Sequence, residues 1–421
     1  MAFPKADNII IIGGSLAGLM HALTCLTHTE AKVTILERSP NALLHNQGAG
    51  VVAGAETQKF FTKYVDARRE IAVRSLERLY LDRDGGVVEG SVDRREQRMT
   101  SWDVLYRLLR WRVDGMGAGE YFEGGEGGGE QEGSGNRVKD HVRFGQARYE
   151  YGCSVDAVKD CGEKGVDVEW KDRDGGTRTT TADFVIAADG ASSHVRRQLL
   201  PDVQRSYAGY VAFRGTVPES AISEAATAAF VEKFAFFHTT GIQILAYTIP
   251  GENGSLRPGH RLVNWVWYCN YEDGSQELEE LMTDSEGKRH AVTLPVGGMR
   301  EEVWSKQKRY ADEVLPPQFA EVVKKTTQPF VQAITDNLSK EDVFSDGRLV
   351  MVGDAVAGFR PHTAASTSQA AFDALMLAEW IEGRIDRDEY RSRCLGYAKE
   401  VQTHGVALGE RSQFGRHPFA T

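Results

Sequence analysis

The chain has 421 residues, a formal net charge of −10 and 41% hydrophobic residues. That length exceeds one average domain and can bury a large core without disulfides or metals. The acidic balance argues against nucleic acid as a partner, because phosphate binding needs clustered Lys and Arg.

Five cysteines, Cys25, Cys153, Cys161, Cys269 and Cys394, form no CxxC pair. They read as free thiols of a reducing compartment, not as a disulfide framework or a metal site. Met1 to Asn8 has no charged stretch followed by an apolar one, and Ile9-Ile10-Ile11-Ile12 is too short to span a bilayer. A cytoplasmic protein without a membrane partner is the expectation.

In chain order, an apolar strand over 8–13 breaks at Gly13-Gly14. A helix follows with Leu16, Leu19, Met20, Leu23 and Leu26 on one stripe, and then a β-branched strand, Lys32 to Glu37. Strand, glycine turn, helix and strand make a βαβ unit and imply a parallel sheet. Residues 102–112 read as helical. From 114 to 135 the chain is mostly Gly and Glu, a surface loop that lacks the apolar surface to join a core. Short strands over 148–188 include a hairpin turn at Asp172-Arg-Asp-Gly-Gly. The segment 205–295 is strand-rich, with aromatic clusters at 234–237 and 265–268, and reads as a second sheet covering the first domain. A last apolar strand, 348–352, meets Gly353-Asp354, and a long helix is expected over 364–383. The fold class is α/β: a Rossmann-like dinucleotide domain with a parallel sheet, plus a substrate domain on a mostly antiparallel sheet.

Gly13-Gly-Ser-Leu-Ala-Gly18 carries the strongest chemical signal. The first glycine makes the tight turn, the third position must be small beside a pyrophosphate, and the last lets helix and strand pack closely. Ser15 replaces the usual middle glycine; it is still small, and its hydroxyl can donate to a phosphate oxygen. Glu37 ends the second strand about 20 residues on, where an acid accepts from ribose hydroxyls and disfavours a 2′-phosphate. A surface Glu paired with Arg38 is the plainer alternative. Two further strands end in Asp189-Gly190 and Gly353-Asp354. Either alone is an ordinary strand exit; both, in this order after a dinucleotide turn, point to FAD.

At these residues the chain resembles the class A FAD-dependent aromatic hydroxylases, the p-hydroxybenzoate hydroxylase family. Within it, the resemblance is closest to dihydroxypyridine hydroxylases. It runs from about 8 to 385 and is carried by the glycine-turn variant, Gly48-Ala-Gly-Val51, Gly209-Tyr-Val-Ala-Phe-Arg-Gly215, Asn264-Trp-Val-Trp-Tyr268 and Arg360-Pro-His-Thr363. The resemblance implies a single-component monooxygenase that uses NADH or NADPH and O2 on a small aromatic substrate through a flavin C4a-hydroperoxide. It gives Asp189 a pyrophosphate and nicotinamide role, and Asp354 the flavin-side hydroxyls. It leaves room for a homodimer. It divides the chain into a FAD-binding domain over 1–75, 100–204 and 341–385, a substrate domain over 76–99 and 205–340, and a C-terminal helix and tail over 386–421.

The expected cofactor contacts are Gly13, Ser15, Leu16, Ala17, Gly18, Glu37, Arg38, Gly48, Gly50, Trp102, Asp189, Gly353, Asp354, Pro361, Thr363, Ala364 and Ala365. Trp102 stands where many members carry an Arg that contacts FAD, and Ala364-Ala-Ser-Thr367 stands where many carry glycines. A helix starting near Ala364 would offer free N–H groups to the reduced flavin; a simple cap by Thr363 is the alternative. On the substrate side the candidates are His362, as a base that titrates near working pH, and Arg214, as an anion holder or a structural ion pair. Asn264 and the aromatics Trp265, Trp267 and Tyr268 alternate on a strand, with one face able to line a ring pocket. No metal site is expected. An epoxidase or Baeyer-Villiger-like oxygenase, a flavin halogenase broken at Tyr268-Cys269, and a flavin-binding sensor or partner subunit remain as alternatives.

Overall fold

The computed structural model describes residues 1–44, 50–67, 69–117 and 145–420. Gly48 and the Gly/Glu stretch from residue 118 onward lie outside the described residues.

The first sheet begins where the apolar runs predict. Its centre is β1 (Asn8–Ile12), flanked by β2 (Lys32–Glu37) and β11 (Phe184–Ala187), both parallel to it. β7 (Gln146–Tyr151) and β19 (Leu349–Met351) extend it in parallel, and β18 (Val343–Phe344) closes one edge antiparallel. The inner strands are apolar on both faces because helices and a hairpin layer cover them. On one side pack the helices Leu16–His28, Trp102–Asp114 and Ser366–Ile381. On the other lies the antiparallel set β8 (Ser154–Asp160), β9 (Val166–Lys171) and β10 (Thr177–Ala182), whose β9–β10 turn is the Asp172–Gly176 hairpin.

The second sheet runs in the order β16 (Thr293–Leu294), β17 (Phe330–Leu338), β12 (Ser206–Pro218), β15 (Leu262–Asn270), β14 (Ile242–Ile249), β13 (Lys233–Thr239) and β5 (Glu77–Tyr80). It is antiparallel except for β13 with β5. Period-2 alternation splits its side chains between two faces. Val211, Phe213, Trp265 and Trp267 point to one, where helices Glu301–Val314 and Pro317–Lys325 bury them. Tyr210, Ala212, Leu245, Val266 and Tyr268 point to the other, toward the first sheet. A third small sheet, β3 (Gly50–Val52), β6 (Gln97–Ser101) and β4 (Val73–Ser75), lies over β14 and roofs that face.

The long helix expected from residue 364 starts later. Ala364 takes a left-handed conformation, φ 52°, and the helix spans Ser366–Ile381 behind an Ala365 N-cap. Thr363 does not cap it; its hydroxyl is buried without a partner.

Candidate active site

The glycine turn has the geometry its spacing implies. Gly13 has φ 103°, a conformation that glycine adopts without strain, and a Cβ there would overlap the Ala188 carbonyl. A Cβ on Gly18 would overlap the Gly13 carbonyl oxygen, so the helix can approach the strand only with glycine at that place. Ser15 is the helix N-cap, but its side chain makes no capping hydrogen bond. Its hydroxyl and the first-turn N–H groups of a 13-residue helix therefore remain for a ligand.

Glu37 is buried, and its carboxylate accepts from the Gly14 and Ser39 backbone N–H groups, both at 2.8 Å. A carboxylate has about four lone-pair sites, so room for ribose hydroxyls remains. Arg38 is exposed, and Glu37 is held by backbone amides. Tyr149 was not legible in the sequence. Its hydroxyl donates to the Gly14 carbonyl at 3.1 Å, and the Arg110 guanidinium lies 3.7 Å from its ring centroid. The helix Trp102–Asp114 thus braces the turn through Arg110. Trp102 itself is packed in the core, stacked on Tyr106 at 4.7 Å.

The other two motifs meet across the first sheet. Asp189 Oδ2 accepts from the His194 and Val195 N–H groups, while Oδ1 is buried with no partner. Arg196 ties the two turns together, donating to the Ala191 carbonyl at 2.6 Å and the Ala355 carbonyl at 2.7 Å. Gly353 has φ 59°, and its N–H donates to Asp373 Oδ2 at 2.8 Å. Burial pushes the Asp354 carboxyl up, opposed by a hydrogen bond from Ser366 and by Arg205 and Arg196. The orphaned Asp189 oxygen and Thr363 hydroxyl, the unspent Ser15 hydroxyl and the glycine cradle fit a dinucleotide.

One cavity of about 250 Å³ is lined both by Asp354 and Ser366 and by Arg214, Leu245 and Tyr268. Its floor is the second sheet, read by register. Arg214 stands in a row with Val266, Leu245, Phe236 and Tyr80. Ala212, Tyr268, Gln243 and His238 form the row on one side; Thr216, Asn264, Tyr247, Phe234 and Arg78 form the row on the other. Arg214 is thus a cation among apolar neighbours, and its Nε is buried with no partner. Among the described residues no structural ion pair accounts for it.

His362 reaches the cavity from the 3-10 turn Pro361–Thr363. Its Nε2 lies 2.9 Å from the Tyr210 hydroxyl, and its ring stacks on Tyr268 at 4.4 Å. The expectation of a histidine titrating near working pH is not met. Burial first, then the Arg360 and Arg214 charges, lower its pKa to about 3. Asn264 shares this face but serves the roof, since its Oδ1 accepts from the Gly50 N–H at 2.9 Å. A Cβ on Gly50 would come within 2.6 Å of Tyr247, so only glycine lets the roof settle onto the floor here. Trp265 and Trp267 lie on the opposite face, in the core.

Known proteins resemble the chain in sequence and in fold. A family model described as FAD binding domain-like matches residues 207–336. The chain is 30% identical over 377 residues to 2,6-dihydroxypyridine 3-monooxygenase of Paenarthrobacter nicotinovorans, spanning 89% of this chain and 83% of the relative. It is 26% identical over 244 residues to 6-hydroxynicotinate 3-monooxygenase of Pseudomonas fluorescens, spanning 55% and 48%. The solved structure of 2,6-dihydroxypyridine-3-hydroxylase from Arthrobacter nicotinovorans superposes with a TM-score of 0.79 at 26% identity, over 99% of this chain and 97% of that one. With a relative of that identity along nine-tenths of its length and a dinucleotide cradle facing an aromatic-floored cavity, the chain belongs to the class A FAD-dependent aromatic hydroxylases.

Proposed function

We propose that the chain is a single-component monooxygenase that uses NADH or NADPH and O2 to hydroxylate an electron-rich aromatic or hydroxypyridine-type ring. The observation that carries this reading is the single cavity joining Asp354 and Ser366 to Arg214, Leu245 and Tyr268. FAD, when bound, would supply the redox chemistry: hydride acceptance from a nicotinamide and activation of O2.

The chain's own groups bind, orient and exclude water. Gly13, Ser15, Leu16, Ala17 and Gly18 hold the pyrophosphate at the helix N-terminus, and Glu37 holds the ribose. Asp354 would hold flavin-side hydroxyls, and the segment Pro361 to Ala365 with the start of helix Ser366–Ile381 would offer N–H groups to negative charge developing on the flavin. Val266, Leu245 and Phe236 give the substrate a dry, flat floor. Arg214 faces the ring's ionised oxygen, and stabilising that oxyanion keeps the ring electron-rich. His362, neutral at working pH, positions the ring with Tyr210 and is not a titrating base. In the tautomer where Tyr210 donates to Nε2, the histidine keeps its proton on Nδ1 as a neutral donor.

The test is NAD(P)H consumption by FAD-loaded protein with a panel of dihydroxypyridines, hydroxynicotinates and phenols, scored by hydroxylated product. Substrate-stimulated oxidation coupled to product is expected. Oxidation indifferent to every ring would overturn the reading.

A further inference from the structure

The cavity has a second unpaired cation that the oxygenase reading leaves unused. Arg78 lies on β5, in register with Phe234, and its guanidinium carbon stands 5.1 Å and 5.2 Å from the Phe234 and Phe236 ring centroids. The head group therefore leans back over β13, toward the middle of the floor. Its Nε is buried with no hydrogen-bond partner. The carboxylate of the paired residue Asp93 goes instead to Arg95, at 3.6 Å. On the roof above, Gln97 Oε1 is also buried and unpartnered, and both residues line the cavity. Neighbouring arginines of the same roof are satisfied: Arg74 pairs with Glu96 at 2.6 Å and Arg98 with Glu70 at 2.7 Å.

Arg78 is partly buried, with Asp93 acting on it only at a distance and no hydrogen bond to it. A guanidinium partly withdrawn from water without a bonded counter-ion is costly, a cost that aromatic faces offset only in part. Burial accordingly lowers the Arg78 pKa. What completes such a group is a planar anion with two acceptor oxygens, because the guanidinium fork matches a carboxylate in two parallel hydrogen bonds. A side-chain amide beside it can turn its N–H₂ toward the same oxygens. Arg214 and Arg78 sit on strands four steps apart, roughly 19 Å at the Cα atoms. They mark opposite poles of one cavity, Arg214 on the side of His362 and Arg78 away from it.

We propose that Arg78, with Gln97 above it, is a carboxylate subsite, and that the preferred substrate is a hydroxylated aromatic or N-heteroaromatic acid, not the same ring without its carboxylate. This inference rests on the oxygenase reading and deepens it. The ring oxygen then belongs at the Arg214 pole and the carboxylate at the Arg78 pole, which fixes the ring's orientation.

Equilibrium binding to the FAD-loaded protein tests the subsite, followed by the visible spectrum of the flavin and by tryptophan fluorescence. The probes are matched pairs: 6-hydroxynicotinate against 2-hydroxypyridine, and salicylate against phenol. At least one acid should bind about tenfold or more tighter than its decarboxylated partner, as a charge-assisted pair requires. Arg78→Met keeps the stem over the two phenylalanines and should erase that preference without weakening the neutral ring. Arg78→Lys should restore part of it, and FAD content should match wild type in both. Equal binding of acid and neutral ring by wild type, or an Arg78→Met loss common to both, would overturn the subsite while leaving the oxygenase reading intact. If no ring binds and none stimulates NAD(P)H oxidation, the oxygenase reading fails first and the subsite falls with it.

Discussion

The Tyr210 hydroxyl and His362 Nε2 lie 2.9 Å apart, joining the floor of the second sheet to the turn that follows Arg360. Tyr210 is fully buried and His362 is partly buried beneath it, and desolvation with the Arg360 and Arg214 charges makes the imidazole a fixed hydrogen-bonding group and not one that titrates near neutral pH. Tyr210→Phe keeps the ring and removes the hydroxyl. Coupled product should fall by up to about tenfold, the worth of one ordinary hydrogen bond, with unchanged FAD content and more hydrogen peroxide released. His362→Gln should behave alike. The pH profile of coupled product should show no inflection near 6.5 that His362→Gln removes, because the wild-type group titrates near 3. An inflection there that disappears in the variant would restore the histidine as a base.

The Gly353 N–H is satisfied by Asp373, not by the motif's own aspartate. Asp373 Oδ1 is in turn held by Gln369 at 2.5 Å. Asp373→Ala leaves the buried Gly353 N–H without an acceptor, a cost of about 1–3 kcal/mol that should appear as lower thermal stability. FAD should also bind more weakly, since the turn carrying Asp354 loses its anchor. Asp354→Ala should weaken FAD by about 1.5–3 kcal/mol while the apoprotein melts as wild type does. Titration of both apoproteins with FAD, alongside melting curves, separates the two roles.

How much of this was legible depends on sequence distance. The turn Gly13–Gly18 and Glu37 lie within one βαβ unit, so spacing alone raises the expectation of a dinucleotide site. The cavity floor is different. Arg78, Phe234, Tyr247, Asn264 and Thr216 are brought into one row by strand register, and no local pattern encodes that row. Tyr149 and Asp373 escaped notice for the same reason: each serves a glycine more than a dozen positions away. The electrostatic state of His362 was illegible because it follows from burial and from Arg360 and Arg214, not from residue type. Alternation along 264–268 did separate two faces, and the structure sends Tyr268 to the cavity and both tryptophans to the core.

Two glycine substitutions should move in opposite directions. Gly18→Ala puts a methyl group into the Gly13 carbonyl oxygen, which belongs to backbone and cannot swing away. The purified variant should be colourless and should not take up FAD. Gly396 lies inside the helix Arg387–Gln413 with nothing near its missing Cβ. Gly396→Ala should raise stability by roughly 0.5–1 kcal/mol and leave FAD binding untouched. Differential scanning calorimetry and the flavin absorbance of the purified proteins report both.

Asp342 is fully buried, and neither carboxylate oxygen has a hydrogen-bond partner. Burial first, and then the charge of Asp373, push its pKa up to about 8. Asp373 is itself raised to about 7, chiefly by burial. A folded-state pKa above the unfolded value of about 3.9 means that the native state holds the extra proton. Its stabilisation is complete below that unfolded value and is lost as pH rises through the folded one, because the unfolded chain then binds fewer protons than the native one. Asp342→Asn mimics the protonated carboxyl in shape and cannot ionise. It should therefore melt close to wild type at pH 4 and gain on wild type as pH rises to 9, with the gap widening up to about pH 8 and flattening above it. Melting temperatures of the two proteins across that range decide the point, and a difference independent of pH would show that Asp342 is ionised in the native state throughout.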